Sequence, residues 1–535
     1  MPERDTVQPE VPEPDSRGQA SATAPVVGSS DPVGKLRKSR IPTLNRFLWG
    51  MGGFTDVTIY SGIGGLAQQV WVNARGMDPI LFSIASSLPN FLAFISNPII
   101  GHLSDNTRTR WGRRRPWMLA GVLIAALISM VMWHPPAFAA VAKGTTWVEA
   151  FRVQWVSLLF LSGMMAAMFT GGYAVFTIAH TGLGYEMTGD YDERTHLFKW
   201  RMLAASVAGF LSPWFVKLTL MIEGDRADVL KGVQGVQVIG FVMAGIILVT
   251  GLCPVIFCRE NVAAIAGREK VPFLKAVRMT LRNRPFWLLV VSNFITKFGM
   301  SMTGMFFFYV FIYHLGAGST SRGATYYPIF ANVINITSFI GMGVVASWAG
   351  RVGKKGALVG CLIMSTVAYA SLGLTLSNSA ASYFNFPLPW GGPGNTLLMQ
   401  WPCLITAVLI GAFTNTMPMI KNSMLADVCD LDELHSGHRR EAFYGAVFVT
   451  TDKIALATAI MFQGVMLKLS GFDASLVNQS PETVRYWVLA LVITQPLGFL
   501  ISIVAILYYP LTRARSMEIR STLEERVQKG ALCPP

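Results

Sequence analysis

Ionisable side chains stand inside otherwise apolar stretches of this 535-residue chain, among them Asp56, His180, Arg201, Lys297 and the adjacent Asp452 and Lys453. Asn90, Asn293 and Asn335 add hydrogen-bonding capacity in the same kind of surroundings. Charges placed in hydrocarbon are costly, so they face a polar cavity, pair with one another, or snorkel to the interface. Snorkelling is a strong alternative for Arg201, which lies close to the end of its segment, and a weak one for Asp56, Lys297 and Lys453. A cavity lined by such groups could hold a polar solute. Asp56, Tyr60, Asn90, Arg201, Lys297, Asn335 and Lys453 are the candidate solute-binding residues.

Two of these positions could also handle protons. An imidazole titrates near pH 6.5, so His180 on a cavity wall could take up and release a proton. A neutral, hydrogen-bonded structural histidine is the competing reading. Asp56 is the second proton-coupling candidate. Tyr60, Trp71 and Tyr173 could stack on the apolar face of a sugar, or serve as packing and interfacial belt.

A third group sits in short loops. Asp105 is followed by Arg110, Arg113, Arg114 and Arg115. An acid at a helix C-terminus is disfavoured by the helix dipole, so topology alone does not explain it. Pairing with acids on neighbouring helix ends would make this cluster a cytoplasmic gate. Asp427, Asp430, Asp432 and Glu433 with Arg439 and Arg440 invite the same reading. The alternative is that these arginines only orient the chain in a membrane.

The elements that must position these residues are long apolar helices. The chain is 52% hydrophobic and 14% charged, against roughly 25% charged in soluble domains. Its mean hydropathy is +0.44. The stretches 286–296, 301–313 and 487–510 hold no acid or base. A span needs roughly 20 mostly apolar residues. Such segments fall near 46–71, 79–103, 117–134, 153–185, 199–222 and 236–258, then near 286–316, 325–349, 356–377, 397–424, 443–470 and 485–511. The net charge of +14 resides in loops between these segments, which argues against nucleic-acid binding. The six cysteines show no metal or disulfide spacing and read as small packing residues. No metal site is expected.

Residues 1–45 read as a disordered tail without a signal-peptide core, ending in the basic run Lys35, Arg37, Lys38 and Arg40. Bases recur after segments two, eight and ten, in the linker 259–285 and in the tail 512–535, whereas 378–400 has none. This bias places both termini in the cytoplasm of a plasma (inner) membrane protein. The organisation is a six-helix half at 46–258, the linker, and a second half at 286–511.

The halves echo each other. Gly101-His-Leu-Ser-Asp105 leading to Arg110–Arg115 follows the second segment, and Trp348-Ala-Gly-Arg351 leading to Lys354-Lys355 follows the eighth. Tyr185-Glu186 leading to Asp192-Glu193-Arg194 follows the fourth, and Asp427 to Asp430 leading to Arg439-Arg440 follows the tenth. Two parallel six-helix halves are the architecture of major facilitator transporters, whose substrate site lies between them near mid-membrane. The expected fold class is therefore an all-α polytopic membrane protein of twelve transmembrane helices.

The run Pro98 to Asp105 with Arg110-Trp-Gly-Arg-Arg-Arg-Pro116 resembles the helix-two loop of the glycoside–pentoside–hexuronide:cation symporters, especially their sucrose-transporter relatives. Ala426-Asp427-Val-Cys-Asp430 with Gly437-His-Arg-Arg-Glu441-Ala-Phe-Tyr444-Gly445 is similar to the signature of the melibiose-carrier branch. The resemblance spans residues 45 to 511. It implies that Arg201 and Lys453 match that branch's arginine on helix five and lysine on helix eleven, and that Asp56 lies at or one place from its sugar-contacting acid. It also marks departures. The two helix-two carboxylates of the sodium site become Ala93 and Asn97, a helix-four aspartate aligns with His180, and a sugar-stacking tryptophan with Gly184. Losing three carboxylates argues against sodium coupling and for protons through His180, Asp56 or both.

Other classes fare worse. Gly350-Arg-Val-Gly-Lys-Lys-Gly356 lacks the spacing and the Ser/Thr of a phosphate-binding loop. No metalloprotease helix, Cys/His pairing or nucleophile elbow is present, so an enzyme is not expected. The expectation is a proton-linked symporter of a sugar or glycoside, monomeric, without cofactor. A carrier of another organic solute or a lysolipid, or a membrane sugar sensor, are the alternatives.

Overall fold

The computed structural model describes residues 41–134, 146–188, 191–223, 234–259, 283–316, 320–376, 385–387, 398–436, 441–473, 476 and 478–528. These fold almost wholly as helices. They are α1 (residues 43–74), α2 (Pro79–Asn106), α3 (Arg115–Val131), α4 (Trp147–Glu186), α5 (Tyr191–Leu211 with Trp214–Glu223) and α6 (Gln234–Phe257). The second set is α7 (Arg284–Leu315), α8 (Thr320–Val352), α9 (Lys354–Thr375), α10 (residues 401–436), α11 (Glu441–Leu469) and α12 (Pro481–Leu507). Each apolar segment of the sequence falls on one of them. Among the described residues nine of them, α2, α4 and α6 to α12, are long and apolar enough to span a membrane on those grounds alone; α5 joins them as a span bent by 43°, and α3 is apolar but short.

The sequence starts these helices where it should. Asp78 accepts from the amides of Ile80 (2.9 Å) and Leu81 (3.4 Å), and Pro79 opens α2. Thr146 and Glu149 form a reciprocal capping box on α4. Asn283 before Pro285 caps α7, and Ser480 before Pro481 caps α12. Gly353, at φ +85°, makes the sharp turn between α8 and α9. Large apolar side chains such as Phe94, Leu159, Val249 and Leu374 stay exposed around the bundle. They cover the surface that acyl chains would touch.

Four helices carry a local i→i+5 ladder: α1 at Thr58–Ile63 and Gln69–Ala74, α4 at Ala167–Ala174, α7 at Val310–Leu315 and α10 at Ile410–Thr414. Among the described residues this π-turn recurs in every third helix and in no other. Such turns are rare and concentrate at functional sites. Two features lay outside the sequence expectation. Asn385–Pro387 pairs antiparallel with Leu398–Gln400, and part of the tail, Arg513–Gln528, forms a polar helix, α13.

Across the halves, α2 runs along α11, and α8 touches α5. Gly464 on α11 sits so close to Pro79 and Ser83 that a Cβ there would have no room. The polar contacts between described residues of the two halves gather away from the termini. Lys468 Nζ pairs with Asp78 Oδ2 at 2.5 Å. Gln68 donates to Tyr309 Oη (3.2 Å), which donates to Asn73 (2.9 Å). At mid-depth Asn335 Nδ2 reaches the Gly209 carbonyl at 3.4 Å.

Candidate functional site

In the N-terminal half the site is built on Asp56. Its Oδ2 pairs with Arg201 Nη2 from α5 at 2.7 Å, and its Oδ1 accepts from Thr177 on α4 at 2.5 Å. Arg201 also donates to Thr181 at 3.0 Å. One carboxylate thus ties α1 to α4 and α5. Asp56 is buried and Arg201 half-buried, so each offsets the other's desolvation. This arrangement answers the snorkelling alternative for Arg201: its guanidinium turns inward to an acid. Tyr60 lies one turn further along α1, 38% exposed, with its ring beside Phe169 (5.8 Å) and Tyr173 (5.5 Å). Trp71 is fully buried, packs on Phe160 and lies under the Arg75 guanidinium, which makes it a packing residue.

His180 does not line a cavity; of the two readings the sequence left open, the proton-coupling one is not met and the structural one fits. It is 0% exposed, stacked on Trp49 (4.6 Å) and on Phe176 (5.4 Å), and its Nε2 lies 2.9 Å from the Trp49 carbonyl. A Cβ on Gly52 would run into the imidazole. The same indole explains another departure. Trp49 from α1 fills the space over Gly184, where a Cβ would collide with its ring. A tryptophan side chain at 184 has no room because one from α1 already occupies it.

In the C-terminal half the centre is Asp452 on α11. Its Oδ1 accepts from Asn293 Nδ2 on α7 at 2.7 Å, and Lys297, one turn on, is a charge neighbour. Asp452 is also a charge neighbour of Tyr60 in the opposite half. The two polar sets therefore face each other across the interface. Lys453, next in sequence, is partly buried and pairs with nothing among the described residues. Asn90 is half-buried on α2. Asn335 joins the two halves rather than the charge clusters.

Sequence reasoning missed Lys421 on α10. It is 1% exposed and donates to the Ser292 carbonyl (3.2 Å) and to Thr296 Oγ1 of α7. Ending the tenth segment at 424 made this lysine look interfacial. The helix runs on to Ser436, about 18 Å past that end-point at 1.5 Å per residue. Lys468 and Asp78 were also missed; the Asp-Pro helix start was the available signal.

The loop charges close within each half. Arg113 (2.8 Å) and Arg114 (3.0 Å) pair with Glu186 at the end of α4, Arg114 also pairs with Asp105 and bonds Ser104, and Arg115 caps the carbonyls of Val255 and Ile256. Arg110 remains exposed. In the second half Lys354 pairs with Asp427 at 2.7 Å, and Arg520 of α13 reaches Asp427 (3.3 Å) and Asp430 (3.2 Å). The two sequence echoes are thus physically joined: in each half, the loop after the second helix is ion-paired to the end of the fourth. Arg439 and Arg440 lie outside the described residues.

These features define a multi-pass membrane transporter of the major facilitator fold. A sequence profile described as MFS/sugar transport protein matches residues 60–513, and the chain belongs to that family. The resemblance to glycoside–pentoside–hexuronide:cation symporters is borne out. An uncharacterized symporter of Synechocystis is 26% identical, the match covering 82% of this chain and 88% of that one. The isoprimeverose transporter of Lactiplantibacillus pentosus is 19% identical over 94% and 96%. Among solved structures, a bacterial homologue of the human lysosomal transporter Spinster superposes with a TM-score of 0.57 at 15% identity, covering 90% and 97%.

Proposed function

We propose that this protein is a proton-coupled symporter of a sugar or glycoside, carrying its substrate through the plasma (inner) membrane by alternating access, with both termini in the cytoplasm. The observation that carries this reading is the pair of facing polar sets, Asp56–Arg201–Thr177 on one half and Asn293–Lys297–Asp452 on the other, with Tyr60 between them. Buried, paired charges on two separately moving bodies suit a polar, hydroxyl-rich solute that must be released when the bodies part. Coupling to protons rather than sodium is supported by Ala93 and Asn97, which leave α2 without carboxylates at the positions the sodium-dependent branch uses. The contacts at Lys468–Asp78 and around Tyr309 support a conformation shut on the outer side. In this conformation the loop arginines are held inside one half; as a cytoplasmic gate they would exchange partners when that side closes. The protein works as a carrier, not an enzyme, and needs no bound cofactor.

Uptake by proteoliposomes of a panel of labelled sugars and glycosides, under an imposed pH gradient with and without sodium, tests the proposal. Accumulation of one compound that collapses with a protonophore and ignores sodium replacement is expected. Sodium-dependent accumulation would overturn the coupling. Accumulation of a lysolipid but of no sugar would overturn the substrate class.

A further inference from the structure

Lys421 is the most deeply buried Lys, Arg, Asp or Glu among the described residues. Its Nζ has two acceptors, the Ser292 carbonyl and Thr296 Oγ1, both on α7. Ser292 is itself held by its Oγ to Ser502 of α12 at 2.5 Å. Two acceptors match the two N–H bonds of a neutral amine. An ammonium has a third N–H, which would be left without a partner there.

The charge count points the same way. The charged groups acting on Lys421 are Lys297 from α7 and Asp452 from α11; the charges that α9 and α13 bring to α10, Lys354 and Arg520, are held by Asp427 and Asp430. Asp427, on α10 itself, is committed to Lys354 and Arg520. Two lysines therefore share one carboxylate, and Asp452 already accepts from Asn293. Lys421 forms no ion pair among the described residues, and a buried ammonium without one bears a large desolvation cost. A lysine can relieve that cost by giving up its proton, whereas an arginine cannot.

We propose that Lys421 carries the exchangeable proton of the C-terminal half, on the reading that transport is proton-coupled. Nζ gives up its proton to water when α10 closes on α7 with Asp452 turned to Lys297. It takes a proton back from water when α10 separates from α7 or Asp452 turns towards Lys421. No bond other than N–H forms or breaks. Lys421 lies just beyond the π-turn of α10 and touches the π-turn helix α7, so its protonation is placed to bias how these two helices pack.

The test needs only protons as the probe. Substrate-free proteoliposomes on a solid-supported membrane are given a pH jump, and the displaced charge is recorded. The wild type is expected to displace charge, and Lys421→Met and Lys421→Arg are expected to lose that displacement while keeping their elution profile. Wild-type-like displacement by both variants would overturn the assignment and leave proton coupling standing. Absence of displacement in the wild type would overturn both. Should Lys421→Met fail to insert, lysine-15Nζ NMR of the wild type in lipid decides. One resonance is expected to move between the amine and ammonium positions across the physiological pH range and to vanish in Lys421→Arg. Lysines that all remain ammonium throughout would overturn the proposal.

Discussion

Lys468, at the end of α11, reaches across the molecule to Asp78, the residue that caps α2, and its Nζ lies 2.5 Å from Oδ2. Asp78 is thus used twice: Oδ1 holds the first amides of α2 and Oδ2 holds the other half. Its side chain is almost fully enclosed, while Lys468 is partly open to solvent.

Removing that bond should loosen the outer closure. Lys468→Met is expected to shift the equilibrium towards the outward-open form by about five- to thirtyfold, equivalent to about 1–2 kcal/mol. Labelling of a cysteine at Tyr60 by a membrane-impermeant maleimide from outside would rise accordingly. Unchanged labelling would show that the Tyr309 network and the α2–α11 contact hold the closure alone.

The Asp56–Arg201 pair should be worth more intact than its net stabilisation suggests. Arg201→Ala leaves a buried carboxylate without its partner and is expected to cost about 3–5 kcal/mol. Asp56→Asn with Arg201→Gln removes both charges and should unfold at a higher temperature than Arg201→Ala. Both forms should fail to accumulate substrate. A single variant as stable as the double would mean the carboxylate finds another partner.

Lys453 and Asp452 are adjacent yet expected to behave differently. Asp452→Asn disturbs the cluster with Asn293, Lys297 and Lys421 and should abolish accumulation. Lys453→Met removes a charge that pairs with nothing among the described residues, so the protein should remain as stable as the wild type. If uptake by that variant falls while stability holds, Lys453 meets the substrate directly; if uptake is normal, it does not.

The crowding at Gly184 gives a steric test. Gly184→Ala pushes a methyl group into the Trp49 ring. Overpacking of this kind costs about 1–3 kcal/mol. Thermal unfolding in detergent should fall, and Gly184→Ala combined with Trp49→Phe should recover part of the loss. A Gly184→Ala protein as stable as the wild type would show that α1 and α4 yield at this point.

Much of the architecture was readable because a bilayer imposes a simple rule: long uncharged runs must cross, and bases must stay out. That rule located the helices and the paired loop motifs, and it picked out Asp56, Arg201, Lys297 and Asp452 as charges inside apolar segments; most of the linker lies outside the described residues. It could not say which helices meet. Asp56 and Arg201 are 145 positions apart and Asp78 and Lys468 are 390, so only packing pairs them. His180 stayed open between a cavity wall and a structural role because its chemistry is legible in one letter while its enclosure by Trp49 and Phe176 is not. Lys421 was hidden by an end-point: the charges Asp427 to Glu433 made the tenth segment look finished, although ion pairs with Lys354 and Arg520 let the helix continue through them.

The π-turns bear on how residues are matched between relatives. Each inserts about one extra residue into a turn, which rotates everything beyond it by about 100° relative to an unbroken α-helix. A carrier lacking the first of the two turns in α1 would align with this chain up to Val57 and then be out of phase by one position. Equivalences drawn before the first turn, such as that of Asp56, and after it, such as that of Gln68, therefore belong to two separate frames. A gap placed at such a turn, rather than in the loops, is the correction an alignment with a carrier lacking it would need.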